Sequence, residues 1–253
     1  MAKIFDTHAH YDDRRFDDDR EALLTAMLQN DVCGILNCAT DLASSKQAIE
    51  TAMKYDGMYA AVGFHPEDLE GATADDLEAC RALLTHDKVV AVGEIGLDYY
   101  WDSSPRPVQQ EWFVRQMRMA KEANLPVVVH DRDAHEDTLR LLKQECPVGV
   151  LHAFSGSVEM AKEIVELGMY IGLGGVVTFQ NARKTVEVAR WIPLDRLLLE
   201  TDAPYMTPVP FRGRRNDSTK IAFVASRIAE LRDMTADEIL DITVDNARRL
   251  FGI

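Results

Sequence analysis

Short apolar runs and longer amphipathic stretches alternate along nearly the whole chain. Most of the apolar runs are continuous rather than alternating, which is typical of parallel strands that are covered on both faces. We predict eight strands, at Lys3–Thr7, Val32–Cys38, Met58–Val62, Val89–Ile95, Pro126–His130, Gly149–His152, Tyr170–Gly172 and Leu197–Glu200.

The amphipathic stretches between these runs have the spacing of helices that pack one face against a sheet. We predict helices at Arg20–Gln29, Ser44–Lys54, Thr73–Leu84, Val108–Ala123, Asp133–Cys146, Val158–Leu167 and Ala182–Arg190. Thr73 and Ser157 are typical helix starts. After Ser218 we expect three further helices on the outside of the fold, at Thr219–Leu231, Thr235–Asp241 and Val244–Leu250.

Eight strands that alternate with helices predict a closed (β/α)₈ TIM barrel. A chain of 253 residues is of the usual size for one such barrel, and it shows no internal repeat and no low-complexity linker. We therefore expect a single domain over residues 1–253. A doubly wound open sheet is the alternative architecture.

Histidines and carboxylates follow several of the predicted strands. His8 and His10 come after the first strand, where alternation places both imidazoles on the same side of the chain. The other candidates end the fourth, fifth, sixth and eighth strands, and they are Glu94, His130, His152 and Asp202. In a barrel these ends meet at the rim that carries active sites. We expect Gly93 and Gly96 to leave room around Glu94.

Imidazole and carboxylate ligands without thiolate suit Zn²⁺, Mn²⁺ or Mg²⁺. Six ligands exceed the need of one tetrahedral ion, so we predict two divalent ions that share the Glu94 carboxylate. The first ion is assigned to His8, His10, Glu94 and Asp202, and the second to Glu94, His130 and His152. Such a pair activates water and stabilises an in-line phosphoryl displacement. Asp202 is also the expected acceptor of the proton from the attacking water. A buried core histidine explains any one of these residues, but not the whole set.

Composition narrows the class of partner. Hydrophobic residues at 47% and charged residues at 28% are typical of a globular protein in water. A formal net charge of −14 argues against a protein that coats nucleic acid, although a metal-lined cleft can still hold one. The four cysteines form no CxxC pair and are interpreted as small buried side chains. Without a signal-peptide pattern or a membrane-length apolar run, we expect a cytoplasmic location and no membrane partner.

Six stretches of the chain resemble the motifs of the TatD family of metal-dependent deoxyribonucleases, within the wider amidohydrolase-like barrels. They are Asp6–His10, Gly63–Pro66, Gly93–Tyr99, Pro126–Arg132, His152–Gly156 and Glu200–Tyr205. The resemblance implies the same barrel, two divalent metals on the six residues named above, and hydrolysis of DNA phosphodiesters. It also implies digestion from the 3′ end, so the expected substrate is single-stranded DNA or a DNA 3′ end.

The resemblance further suggests that His65 faces the substrate phosphate, the alternative being a turn histidine before Pro66. The chain departs from the family at two places. Ala153 stands where the family usually has cysteine, which the site should tolerate. Gly213–Ser218 replaces a Gly-Lys-Arg-Asn pattern, so that Arg214 presents a planar fork instead of a point charge.

Several residues near these motifs are candidate substrate contacts. The basic loop with Arg212, Arg214 and Arg215 is expected to contact the DNA backbone or a terminal phosphate, or else to be a solvated loop that pairs with nearby acids. Arg132 could orient a phosphate or form a structural salt bridge. Tyr99, with the two aromatic residues after it, could stack on a base or pack over the barrel mouth.

Two rival functions remain at this point. A binuclear amidohydrolase could act on a small amide, lactone or phosphoester, but such enzymes generally bridge their metals with a carboxylated lysine. Glu94 stands at that place here, and Lys88 lies at the other end of the strand. A non-catalytic metal-binding barrel is the second rival. The presence of every ligand type together with a general base argues against it.

Overall fold

The structure, a computed structural model, describes residues 3–253. Met1 and Ala2, on which part of the signal-peptide expectation rests, lie outside the described residues. The strands are β1 Ile4–Ala9, β2 Val32–Cys38, β3 Met58–Val62, β4 Val89–Asp98, β5 Val127–Arg132, β6 Gly149–Leu151, β7 Tyr170–Leu173 and β8 Leu197–Leu199. All neighbouring pairs are parallel, in the order β1 to β8, as predicted.

Nine α-helices lie within residues 3–253, and most of them connect one strand to the next. They are α1 Arg20–Gln29, α2 Leu42–Met53, α3 Ala74–Leu83, α4 Arg106–Ala123, α5 His135–Glu145, α6 Val158–Glu166, α7 Arg183–Trp191, α8 Ile221–Arg232 and α9 Ala236–Phe251. Short 3₁₀ helices occupy Arg14–Phe16, Pro66–Asp68, Gly175–Thr178, Leu194–Arg196 and Ser218–Lys220. Thr73 and Ser157 cap α3 and α6 as expected. No helix within this part of the chain is long and apolar enough to cross a membrane.

The barrel is brought nearly to closure between β1 and β8. The His10 amide donates to the carbonyl of Ala203, and the Asp202 amide donates to the carbonyl of His8. The buried carboxylate of Asp6 accepts from both the amide and the hydroxyl of Thr201. A side chain therefore supplies part of the pairing that a strand ladder would otherwise provide at this seam.

One apolar cluster fills the barrel interior. It takes a buried residue from each of the eight strands, from Phe5 on β1 to Leu198 on β8, and residues from opposite strands can meet only inside the barrel. Val244, Leu250 and Phe251 of α9 join this cluster. The ring of Phe251 lies 6.3 Å from that of Phe5, near the start of β1, so α9 covers the amino-terminal end of the barrel.

The helical tail corrects one prediction. In place of two short helices over 235–250, α9 runs unbroken from Ala236 to Phe251. β-Branched Ile242 and Thr243 weaken helix propensity in isolation. The Thr243 hydroxyl, however, donates to carbonyl groups of its own helix, and its side chain is buried against the barrel. Tertiary packing therefore decides the course of this segment.

Candidate metal centre

Glu94 occupies a bulge inside β4 rather than the end of the strand. The strand continues to Asp98, and pairing with β5 steps from Val92–Val127 to Ile95–Val129. Three positions on β4 thus match two on β5, the signature of one inserted residue. The amide of Glu94 leaves the ladder and donates to the carbonyl of Ala39. The bulge is what re-aims this carboxylate.

Gly93 and Gly96, on either side of Glu94, make room for the neighbouring strand β5. This corrects the expectation that they leave room around the Glu94 carboxylate. A β-carbon on Gly93 would lie 2.7 Å from the β-carbon of Val128. One on Gly96 would overlap the carbonyl oxygen of His130, and Gly96 has a φ of +148°. Both glycines are needed because the backbone of β5 approaches closely on either side of the bulge.

Four of the predicted residues form a first cluster around Oε2 of Glu94. The Nε2 atoms of His8 and His10 lie 3.2 and 3.5 Å from this oxygen. The same nitrogens lie 3.8 and 3.4 Å from Oδ1 of Asp202. The structure therefore brings together the four residues assigned to one ion, which come from β1, from the bulge in β4 and from the segment after β8.

A second cluster surrounds Oε1, the other oxygen of Glu94. His152 Nε2 lies 2.7 Å and His130 Nδ1 lies 2.9 Å from Oε1, and these two nitrogens are 3.2 Å apart. His65 Nε2 approaches the same oxygen at 3.5 Å. One carboxylate thus faces a different group of imidazoles with each of its two oxygens.

Hydrogen bonds behind the clusters fix which ring nitrogen points inward. The His10 Nδ1–H donates to the carbonyl oxygen of Cys38 at 2.8 Å, which leaves the lone pair of Nε2 directed at the first cluster. The His130 Nε2–H donates to Asp98 Oδ2 at 3.0 Å, which leaves the lone pair of Nδ1 for the second. Outer partners of this kind orient histidine ligands in metal sites.

Sequence reasoning missed the roles of Asp98 and Glu200. Glu200 is buried, its Oε1 accepts from the amide of Ala153, and the same oxygen lies 3.7 Å from Nδ1 of His152. The absence of a side chain at Gly172 makes room for this carboxylate. The sequence did offer a signal for both residues, namely a carboxylate at the end of an apolar strand. The same pattern had identified Glu94 and Asp202.

The carboxylates and imidazoles of the two clusters stabilise one another's charged forms. Burial raises the pKa of the Glu94 carboxyl, but the imidazoles of His152, His8 and His65 outweigh burial and hold this pKa well below its usual range. Burial alone would lower the pKa values of His10 and His130; their carboxylate partners raise both to about 9. The carboxylates are thus ionised at neutral pH, and the protons on these imidazoles are ones that a bound cation would replace.

Two strand ends beside the clusters hold strained backbone. Asp202 and Ala153 have φ values of +57° and +43°, a region that non-glycine residues rarely occupy. Such residues persist where their surroundings fix them, and they concentrate at functional sites. Here Asp6 holds Thr201, the residue before Asp202, and burial raises the pKa of Asp6 to about 7 despite hydrogen bonds from Thr201 and Ser218.

His65 combines both interpretations given to it. Its Nδ1 accepts from the amide of Glu67 at the start of the Pro66–Asp68 turn, as a turn histidine would. Its Nε2 nonetheless faces Glu94 in the second cluster. Burial lowers the pKa of His65, so the ring is neutral near pH 7 and carries its proton on Nε2. It therefore presents a hydrogen-bond donor to the site.

The two candidate substrate contacts at β4 and β5 differ in their exposure to solvent, since Tyr99 is half-buried and Arg132 is exposed. Tyr99 is held by packing, since its hydroxyl donates to Asp137 and the Arg106 guanidinium lies 4.2 Å from its ring centroid. This favours the packing alternative for Tyr99. Arg132 lies on the exposed surface with its guanidinium 4.0 Å from the ring centroid of Tyr100.

The arginines of the basic loop after β8 also differ in their surroundings. Arg215 forms a two-pronged ion pair with Asp19 at 2.6 and 2.8 Å, as the solvated-loop alternative expects. The Arg212 guanidinium lies 3.8 Å from the ring centroid of Phe179. Arg214 is exposed on the loop, where its role as a substrate contact stays a prediction.

The residues present fit divalent metal ions. Donor atoms of His8, His10 and Glu94, and those of His65, Glu94 and His130, each lie close enough together to share an ion. Within residues 3–253, Oε2 of Glu200 is buried beside the clusters with no hydrogen-bond partner, a condition that water or an ion usually relieves. Lys88 is remote from this place, since its Nζ donates to backbone carbonyls of Tyr55 and Met58 near the start of β3.

A TIM barrel that gathers histidines and carboxylates at the carboxyl ends of its strands has the architecture of metal-dependent hydrolases. The family model described as TatD related DNase matches residues 5–252. The chain belongs to this family and is a metal-dependent hydrolase.

Named relatives and a solved structure cover the chain over almost its full length. It is 46% identical to the "uncharacterized metal-dependent hydrolase YabD" of Bacillus subtilis, over 99% of each chain. It is 36% identical to the "3'-5' ssDNA/RNA exonuclease TatD" of Escherichia fergusonii, again over 99% of each. The crystal structure of YjjV, a TatD homologue from Escherichia coli, has a TM-score of 0.93 at 38% identity, over 99% of this chain and 98% of that one.

Proposed function

We propose that this protein is a two-metal nuclease that hydrolyses DNA phosphodiester bonds from the 3′ end. The proposal is carried by the position of the Glu94 carboxylate between the two clusters. Its Oε2 faces His8 and His10, while its Oε1 faces His130 and His152. A carboxylate placed in this way suits a bridge between two ions. The name of the Escherichia fergusonii relative supports the polarity and the nucleic-acid substrate.

Two divalent ions on these residues, Mg²⁺, Mn²⁺ or Zn²⁺, would activate water and stabilise the charge on the phosphate. Asp202 is the residue that we assign as proton acceptor. Its carboxylate is about one-fifth exposed at 21%, so it can be reached from the barrel mouth. Burial tends to raise the pKa of Asp202, but His10 lowers it overall, which keeps the carboxylate ionised and able to take a proton.

His65 is assigned to the substrate phosphate. Its Nδ1 is used by the Glu67 amide, so the neutral ring directs an N–H from Nε2 towards the second cluster. A phosphate oxygen bound beside that cluster would accept this hydrogen bond.

The proposal is tested with a time course on a 5′-labelled single-stranded DNA oligonucleotide. Metal-stripped protein is compared with protein supplied with Mg²⁺ or Mn²⁺, and Glu94→Gln protein serves as the inactive control. We expect a metal-dependent ladder that shortens stepwise from the 3′ end. DNA that stays intact in the presence of folded, metal-loaded protein contradicts the proposal, and hydrolysis of a small amide, lactone or phosphoester would then establish the amidohydrolase alternative.

A further inference from the structure

Two groups of exposed aromatic rings, each with one arginine beside it, lie at the carboxyl end of the barrel. In the β4 platform, the Arg132 guanidinium lies 4.0 Å from the ring centroid of Tyr100 and 5.6 Å from that of Trp101. These two rings are 54% and 57% exposed. In the β8 platform, the Arg15 guanidinium lies 4.4 Å from the ring centroid of Tyr205, which is 42% exposed.

The two platforms lie on opposite sides of the barrel mouth. Tyr100 and Trp101 follow β4, and Arg132 ends β5. Tyr205 belongs to the loop after β8, and Arg15 to the loop after β1. In a ring of strands ordered β1 to β8, the boundary between β4 and β5 is diametrically opposite the seam between β8 and β1.

Each platform is hydrogen-bonded to the part of the centre that it adjoins. Asp98 Oδ1 accepts from the amides of Tyr100 and Trp101 at 2.9 and 2.8 Å, while its Oδ2 accepts from His130. On the other side, the amide of Tyr205 donates to the carbonyl of Asp202 at 2.7 Å. The β4 platform is thus fixed to the second cluster and the β8 platform to the first.

We propose that the two platforms stack the bases of a single-stranded nucleic acid that crosses the barrel mouth over the metal centre. The inference rests on the proposed nuclease function and names the residues that would contact the bases of its substrate. Exposed aromatic rings and guanidinium planes stack on unpaired bases of any sequence, whereas paired bases inside a duplex are covered. The arginines also place positive charge where a chain of net charge −14 meets phosphates.

The separation of the platforms sets a length requirement. Eight strands closed at the usual spacing and tilt give a barrel roughly 15 Å across. A single nucleotide can therefore contact only one platform, while a short oligonucleotide can contact both. The enzyme should accordingly bind oligonucleotides more tightly as they lengthen, up to the length that spans the mouth.

The test uses Trp101→Leu and Tyr205→Leu, which remove an aromatic face and retain apolar bulk. We expect each to raise the KM for a ten-nucleotide single strand by roughly tenfold. The unaltered protein is also assayed on the small ester bis(p-nitrophenyl) phosphate, which is too short to span the barrel mouth. Trp191→Leu is the matched control, because the ring of Trp191 lies 6.0 Å from Lys162 Nζ at the end of α7, just before β8 begins. Its KM should equal that of the unaltered protein.

An unchanged KM in both platform variants, while the unaltered protein digests the single strand, overturns the inference alone. If the unaltered protein hydrolyses the ester but no DNA, the nuclease proposal fails instead. Binding is also measured by fluorescence in Trp191→Leu protein, in which Trp101 is the exposed tryptophan at the mouth and Trp112 is buried. A phosphorothioate single strand should quench Trp101 emission, and a blunt duplex should not. Equal quenching by both, or by neither, contradicts the platforms.

Discussion

The two ends of this barrel are built from the same eight strands, but one end buries apolar side chains and the other buries charged ones. At the amino-terminal end, Phe5, Leu250 and Phe251 pack into an apolar cluster that α9 covers. At the carboxyl end, five of the seven histidines meet buried carboxylates, and Asp202 and Ala153 hold strained backbone. The two ends of the barrel therefore differ in the polarity of the side chains that they bury.

The difference shows how the fold tolerates a polar centre. Burying charged groups costs free energy unless they are paired, so the Glu94 site depends on partners and offers little intrinsic stability. The apolar end supplies burial without such conditions. Substitutions at the two ends should therefore separate activity from stability, and the following changes test that separation.

The largest effect is expected for Glu94→Gln, which removes the charge shared by both clusters and nearly preserves the side-chain shape. We expect kcat/KM on single-stranded DNA to fall by about a thousandfold or more, ~4 kcal/mol of transition-state stabilisation. Glu230→Gln, at an exposed glutamate of α8 that pairs with Arg227, is the matched control and should retain full activity. Activity within tenfold of the unaltered value in folded Glu94→Gln protein would contradict the two-cluster account.

The opposite end is tested by Phe251→Ala. Deleting this buried ring should lower the free energy of unfolding by about 3 kcal/mol, measured by urea denaturation, because it opens a cavity in the interior cluster. The activity of the remaining folded protein should not change. Ile253→Ala, at a residue that is 37% exposed, should cost less than about 0.5 kcal/mol. A loss of kcat in folded Phe251→Ala protein would show that the two ends are coupled.

A smaller effect is expected for Asp98→Asn, which keeps the shape of the side chain but weakens its hold on the His130 ring. Outer partners of metal ligands typically contribute 10- to 100-fold in affinity or activity, so the Mn²⁺ concentration for half-maximal activity should rise by roughly that factor. Asp102→Asn, in the loop after β4 and 52% exposed, is the control. An unchanged metal requirement would reduce Asp98 to an anchor for the aromatic loop.

The smallest effect is expected in the basic loop. Arg214→Ala should lower the dependence of log(1/KM) on log[salt] by about 0.7 for single-stranded DNA, the value of one phosphate contact. Arg215→Ala should lower it less, because that guanidinium already pairs with Asp19. Equal slopes for Arg214→Ala and the unaltered protein would return this loop to the solvated alternative.

The order of strands could be predicted from the sequence because strands that alternate with helices form a barrel in chain order. The convergence of the six predicted residues then follows, because the carboxyl ends of the strands meet at one rim. The geometry of Glu94 could not. An insertion of one residue between Val92 and Ile95 reverses which side chains face inward, and no local pattern distinguishes that bulge from a strand end.

The supporting carboxylates were missed for a related reason. Asp98 and Glu200 carry the same signal as the predicted ligands, and only the register of neighbouring strands places them behind His130 and His152. The unbroken α9 likewise depends on burial of Thr243 against the barrel, which outweighs its local preference. Long-range packing determines each of these features.

Anomalous diffraction from crystals grown with Mn²⁺ tests most directly whether the two oxygens of Glu94 bind two separate ions. Two peaks are expected, one between Glu94 and the His8, His10 and Asp202 side chains, and one between Glu94 and His130 with His152. Both peaks should be lost or weakened in Glu94→Gln crystals. A single peak at saturating Mn²⁺, or two peaks of which neither contacts Glu94, would contradict the account.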